Sequence, residues 1–412
     1  CLSRGRCLPV GSQSVVSSLA EPTPGKKMIV ATAILDSTSF FHDMAPGADA
    51  YLSGAVALAA AELAIVRFTG ANPQFPVADI VFAYFEGEAW DGLGSNKFAA
   101  DLAAPFNCTR VNAKDPMACD EPYMSSTMFN RGQKLSDVSA IIDVGQVGLL
   151  DAGSPAVFVH APPAGGGPQL ALLKVLKDTS QIVSTDLSVN FAFPDPDPAK
   201  GLPPSPVLAF WKRDSTIPAV VLADHPAEFV NPNYHSHLDS TVAINLTSLC
   251  ETATLVARTL YTLATGTQNR NITADCSFVS SLAGCLTRNF KCPLVERYLG
   301  ALTPADGSNV VRITGYTGVF GSSDSSVSIH PFAYFLRLLL LDRAAIERNV
   351  TANCTKQSEC QIGFHCVGVF PNGTCIRGAT VYHDAISTGI SWSKSSETWT
   401  IVDPTQPLWT ES

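Results

Sequence analysis

The sequence is poor in charge: Asp, Glu, Lys and Arg make up 15% of its 412 residues, against roughly 25% in an ordinary soluble domain. It has no run of five basic residues and a net charge of −9. The phosphate neutralisation that nucleic-acid binding requires is therefore missing, and no nucleic-acid partner is expected. None of its 12 cysteines forms a CxxC pair, which removes the usual zinc modules. The longest apolar run, PFAYFLRLLLLD from Pro331, is broken by Arg337 and falls short of the ~20 residues a membrane span needs. There is no signal peptide, no initiating Met and no internal repeat. What the chain does have is apolar residues, 46% of the total, enough to build a core and to exclude disorder.

The cysteine count is even, and CTKQSECQIGFHCVGVFPNGTC packs four into the tail. Disulfides are the natural reading in an oxidising compartment. Connectivity is open, and proximity alone suggests Cys1–Cys7, Cys108–Cys119, Cys354–Cys360 and Cys366–Cys375. Six N-glycosylation sequons, at Asn107, Asn245, Asn271, Asn349, Asn353 and Asn372, point the same way. Glycans would supply the solubility that charge does not. Starting at Cys1 and stopping at Ser412, the chain reads as a piece of a longer secretory-pathway protein.

Residues 1–26 are turn-rich and read as a linker. After them, short β-branched runs alternate with helical stretches. KMIVATAIL, DIVFAYF, VSAIID, PAVFVH and IPAVVLAD read as strands; Tyr51–Val66, Gln169–Leu176, Leu246–Leu263 and Pro331–Arg348 read as helices. This alternation predicts an α/β fold, a mostly parallel mixed sheet with helices on both faces, over 27–412. A disulfide-stapled elaboration occupies about 276–376. The Pro-rich stretch 184–204 reads as a loop.

Four segments fall just past strand ends, where open α/β sheets place their ligands: AILDSTSFFHDMAPGADA, FEGEAWDGLGS, IIDVGQVG and DHPAEFVNPNYHSHLDST. They resemble the motifs of co-catalytic zinc aminopeptidases. That resemblance implies a bridging ligand at Asp49, a strand-end ligand at Asp143, a histidine ligand at His235 and a general base at Glu88. Two further ligand positions fall on Ile34 and Ala89, whose side chains coordinate nothing. Plainer readings stand beside this one. Asp49 can be a helix cap, and Asp143 and His235 can bond one another in a polar pocket.

Over most of its length the chain also resembles the nicastrin family. The carrying segments are GSQSVVSSL, ATAILDSTSFF, APGADA, FEGEAWDGLGS, SAIIDVGQVGLL, VVLADHPAEFVNPNYHSHLDS and the closing WTES. The resemblance implies a pseudo-peptidase large lobe without a cofactor, preceded by a small lobe of which 1–26 would be a remnant. Its pocket candidates are Glu88, Asp91, Gly92, Leu93, Gly94 and Ser95, with Gly92 standing where the family signature has tyrosine. It further implies a single-pass type I membrane protein with a lumenal or extracellular ectodomain. The implied partners are a presenilin-type protease, the other gamma-secretase subunits and the N-terminal stubs of membrane-protein substrates. The implied role is receptor, gatekeeper or stabilising subunit. The alternative is an active aminopeptidase with one metal on Asp49, Asp143 and His235.

Overall fold

The structure is a computed structural model. It describes the chain except residues 3–4, 22, 24, 71–72, 105–107, 112, 114–118, 122, 125–131, 149–155, 163–165, 187–189, 194–200, 241–243, 303–308, 322–328, 362, 369–372, 394–397 and 412. Eight strands form the central sheet: β1 (Ser12–Ser18), β2 (Met28–Ile34), β3 (Asp79–Phe85), β4 (Val138–Val144), β5 (Ala156–His160), β6 (Asn190–Ala192), β7 (Ala219–Ala223) and β8 (Val381–Ala385). Their order is β6-β5-β7-β4-β2-β3-β1-β8. The middle four, β7-β4-β2-β3, are mutually parallel. β5 turns antiparallel to β7, and β1 antiparallel to β3. The fold is therefore the mostly parallel, mixed α/β sheet that the sequence predicts.

The central strands read as unbroken apolar runs because both faces are covered. Ile29, Ala31 and Ala33 face one core; Met28 and Val30 face the other. The first core is closed by α1 (Ser53–Thr69), α3 (Gly167–Asp186), α5 (Leu246–Thr265), α6 (Cys276–Thr287), α7 (Pro293–Leu299) and α8 (Pro331–Arg343). The second is closed by α2 (Leu93–Ala103) and α4 (Val207–Trp211). One helical stretch, Ala48–Thr69, is in fact long and apolar enough to cross a membrane, but 72% of its apolar window is buried. It packs on α5 and the sheet, so its apolarity serves the core.

Three expectations need correction. The supposed linker contains β1, buried throughout and hydrogen-bonded between β3 and β8. Its serines hid it, yet they find partners inside: Ser17 donates to Glu62, and Ser14 accepts from the Glu86 amide. The Pro-rich stretch 184–204 carries the short strand β6. In the tail, the bridges are Cys354–Cys366 and Cys360–Cys375, not the nearest-neighbour pairs. A three-stranded antiparallel sheet of Glu347–Cys354, Gly373–Arg377 and His365–Val367 sets this pairing. Cys354 sits opposite Gly373, where a Cβ would fall 2.9 Å from the Cys366 sulfur. The missing side chain makes room for the bridge.

Cys1–Cys7 and Cys108–Cys119 pair as proximity suggests. Cys250–Cys276 and Cys285–Cys292 tie α5 to α6 and α6 to the start of α7, two links that sequence reasoning left unassigned. Of the sequons, Asn271 and Asn353 are exposed and Asn349 is half-buried. Asn245 caps α5 by accepting from the Ser248 amide. Asn107 and Asn372 lie outside the described residues.

Candidate functional site

The C-terminal ends of β2, β4 and β7, with the loop after β3, surround a cavity of about 510 Å³. Its position follows from the topology, since parallel strands leave their loops on one edge. Ile34, Glu88, Ala89, Asp91, Gly92, Ser95 and His235 all line it. Leu93 and Gly94 are buried at the start of α2.

The wall is built from β3 outward. Asp36, buried just past β2, accepts the amides of Glu88 at 2.8 Å and Ala89 at 3.0 Å. This clamps the loop that follows β3. Glu88 then turns its carboxylate onto the first turn of α2, where Ser95 gives it both an amide at 2.7 Å and a hydroxyl at 2.8 Å. A carboxylate is favoured there by the free N–H groups of a helix start. Desolvation nevertheless raises Glu88 to about 8, the Ser95 bonds offsetting part of the rise. Desolvation likewise raises Asp36 to about 6.

Local backbone requirements explain the DGLGS run. Asp91 adopts φ 60° and Gly92 φ 70°, the left-handed region in which a glycine is unstrained and a side chain is not. A Cβ on Gly94 would fall 2.5 Å from the Glu86 carbonyl, so α2 approaches the strand end only with glycine there. The exposed Asp91 carboxylate accepts the Trp409 indole N–H at 3.2 Å.

The three positions that resemble metal ligands are each engaged by the protein itself. Asp49 is fully buried in the π-helical turn Ala48–Leu52. Its oxygens accept from the Gly148 amide at 3.0 Å and the Asn231 side chain at 3.1 Å. The cap of that turn is not Asp49 but Asp239, which accepts the Asp49 and Ala50 amides, each at 3.0 Å. Burial, then the charge of Asp224, holds Asp49 well above the usual carboxylate range. Asp143 accepts from Thr32 at 2.6 Å and Ser205 at 2.8 Å, and burial raises it to about 6. His235, at φ 57°, bonds the Tyr51 hydroxyl rather than Asp143, and stacks on Tyr234.

This donor set does not fit a zinc pair. Zinc takes deprotonated carboxylates and neutral imidazoles whose atoms converge on one point. Asp49 and Asp143 are instead held by amide, carboxamide and hydroxyl donors of the protein, and His235 is turned to Tyr51. Among the described residues, the only group of three ligand-type side chains within 4.8 Å of one another is Cys354, Cys360 and Cys375, and all three are disulfide-bonded.

Sequence reasoning missed Asp36, Asp224, Asp239, Ser205 and Trp409. The aspartates stand inside the motifs already singled out, as the Asp of ILDS, of ADH and of HLDS. Trp409 stands in the closing WTES, though nothing in that motif points to the pocket, and Ser205 carries no local signal.

With the geometry in place, comparison with known proteins is decisive. The family model described as the nicastrin large lobe matches residues 27–261. The chain belongs to the nicastrin family. Its similarity to the nicastrin of Arabidopsis thaliana is 30% identity over 445 aligned residues, covering 100% of this chain and 60% of that protein. It thus spans about three fifths of the length of the Arabidopsis and Dictyostelium nicastrins it matches. A solved structure titled as the gamma-secretase component nicastrin superposes with TM-score 0.83 at 26% identity, over 100% of this chain and 68% of that one. Overlap with a zinc aminopeptidase from Bacillus subtilis is partial, with TM-score 0.42 and 17% identity over 63% of this chain.

Proposed function

We propose that this nicastrin-family chain is the non-catalytic ectodomain of a subunit of a gamma-secretase-type membrane protease complex. In that role it admits or excludes substrates by their ectodomains and stabilises the complex. Its partners are then a presenilin-type protease, the remaining subunits and the N-terminal stubs of membrane-protein substrates. The ectodomain faces the lumen or the exterior, held by a membrane helix outside this sequence.

The observation that carries the reading is the use of Glu88. In the aminopeptidase motif this position moves a proton for metal-bound water. Here both its oxygens hold the start of α2 through Ser95. Ile34 and Ala89, in two ligand positions of that motif, present hydrocarbon to the same cavity. The retained acids Asp49 and Asp143 are bonded by amide and hydroxyl donors. The arrangement supports a pocket wall rather than a reaction centre.

Two measurements test this. Elemental analysis of the purified chain, with an aminoacyl-anilide assay in added zinc, is expected to show substoichiometric metal and no turnover. Stoichiometric zinc with turnover abolished by Glu88→Gln overturns the reading in favour of the single-metal peptidase. In the assembled complex, Glu88→Ala separates receptor from scaffold. A receptor role requires substrate cleavage to fall further than assembly does, and a fall in strict proportion leaves only the stabilising role.

A further inference from the structure

Beside the main cavity lies a second one of about 280 Å³, and the two share Asp91, Asn96, Lys212 and Pro407. The two therefore adjoin as a trough. In the main part, the lining acid Glu88 is held by Ser95. In the second part, Asp91 is held by Trp409. The hydroxyls of Ser387 and Thr388 donate to Pro407 and Gln406, so they have no proton left to offer an anion. Two cations remain. Arg213 uses one nitrogen on the Ala209 carbonyl at 2.8 Å and lies within the field of the Asp101 carboxylate. Lys212 is exposed, and its side chain makes no hydrogen bond or ion pair among the described residues. On a chain with net charge −9, this cavity carries two positive side chains against one carboxylate already engaged.

We propose that the second cavity is an anion subsite in which Lys212, assisted by Arg213, receives a carboxylate of an extended polypeptide lying along the trough. The assignment rests on the non-catalytic reading above and names what the pocket recognises. A cation at the edge of a low-charge cleft attracts carboxylates at long range and sets register more than affinity. The main cavity then takes the neighbouring apolar residue, against Leu208 and Phe229. The carboxylate is either an acidic side chain or a chain terminus.

The experiment titrates the whole chain with three N-acetylated leucine-rich decapeptides, following calorimetry and tryptophan emission. One peptide carries a single Asp and an amidated end, one a free C-terminal carboxylate and no Asp, and one neither. Binding by either carboxylate peptide, weakened about tenfold by Lys212→Glu and by raising salt to 0.5 M, is the expected result. The stronger of the two identifies the source. Lys212 is a surface residue, so the folded state survives this change, and Lys212→Arg is expected to restore binding. Equal binding of all three peptides, or affinity unchanged in Lys212→Glu, overturns the subsite. A chain that is metal-free and inert yet binds none of them overturns the subsite while leaving the non-catalytic reading standing.

Discussion

Glu62 shows what a buried acid costs this molecule. Its side chain has no exposure, accepts from Ser17 at 2.6 Å and Tyr84 at 2.9 Å, and is raised by desolvation to about 7 from 4.5. Below pH ~4.5 both folded and unfolded chains carry the proton. Between 4.5 and 7 the unfolded chain releases it while the folded chain keeps it, so stability falls as pH rises. A shift of that size corresponds to roughly 3 kcal/mol. Glu62→Gln, whose amide resembles the protonated acid, is expected to remove this loss. Urea denaturation of both proteins at pH 4.5 and 7.5 checks it, and parallel pH dependence in the two refutes it. Glu86 obeys the same rule in direction. It is fully buried, its oxygens lack hydrogen-bond partners among the described residues, and His330 Nδ1 stands 3.5 Å away accepting from the Phe332 amide. Desolvation drives Glu86 far above its ordinary range, so Glu86→Gln is expected to raise the melting temperature at pH 7.5 more than at pH 5.

At the scale of elements, the start of α2 is where fold and pocket meet. Four successive amides, from Leu93 to Asn96, are received by Gly87, Glu86, Glu88 and Gly92, and any shift of the helix opens the Glu88 wall. Gly94→Ala forces that shift, because its Cβ would meet backbone and the Ser14 hydroxyl at 2.5 and 2.7 Å. A loss of about 2–4 kcal/mol is expected, with altered tryptophan emission as the Trp90 loop moves. Asp275 offers the contrasting case of an ordinary cap. It accepts the Ser277 amide at 3.0 Å and the Phe278 amide at 3.2 Å at an exposed end of α6. Asp275→Ala is expected to cost about 1 kcal/mol and leave the pocket unchanged. Chemical denaturation of the two variants distinguishes a local cap from a site-coupled contact.

For the whole molecule, the decisive links are those between distant parts of the chain. Leu8–Pro9 pairs with Thr410–Glu411, β8 returns to β1, and Trp409 reaches Asp91 at the pocket rim. Disulfides brace the outer helices and the tail. Non-reducing peptide mapping is expected to recover Cys354 with Cys366 and Cys360 with Cys375; the nearest-neighbour pairs would contradict the fold. Replacing both Cys250 and Cys276 by Ser frees a sequence separation of 26 residues. The chain-entropy argument puts the loss at about 3–4 kcal/mol, read as a drop in the urea midpoint.

The sequence by itself determined the layered α/β plan, because burial on two faces demands continuous apolar strands such as DIVFAYF and apolar helices between them. It also placed Glu88, Asp91 and the DGLGS run at one strand end, since strand-end loops of a parallel sheet share an edge. Only the tertiary structure decided what those residues are bonded to. Asp36 clamps Glu88, Asp239 caps the turn that holds Asp49, and Ser205 crosses to Asp143. Each such bond joins segments whose separation in sequence carries no periodic signal. The same holds for β1, whose serines look solvent-facing until Glu62 and the Glu86 amide are found opposite them. It holds for the tail bridges too, where register against Gly373 overrides proximity along the chain.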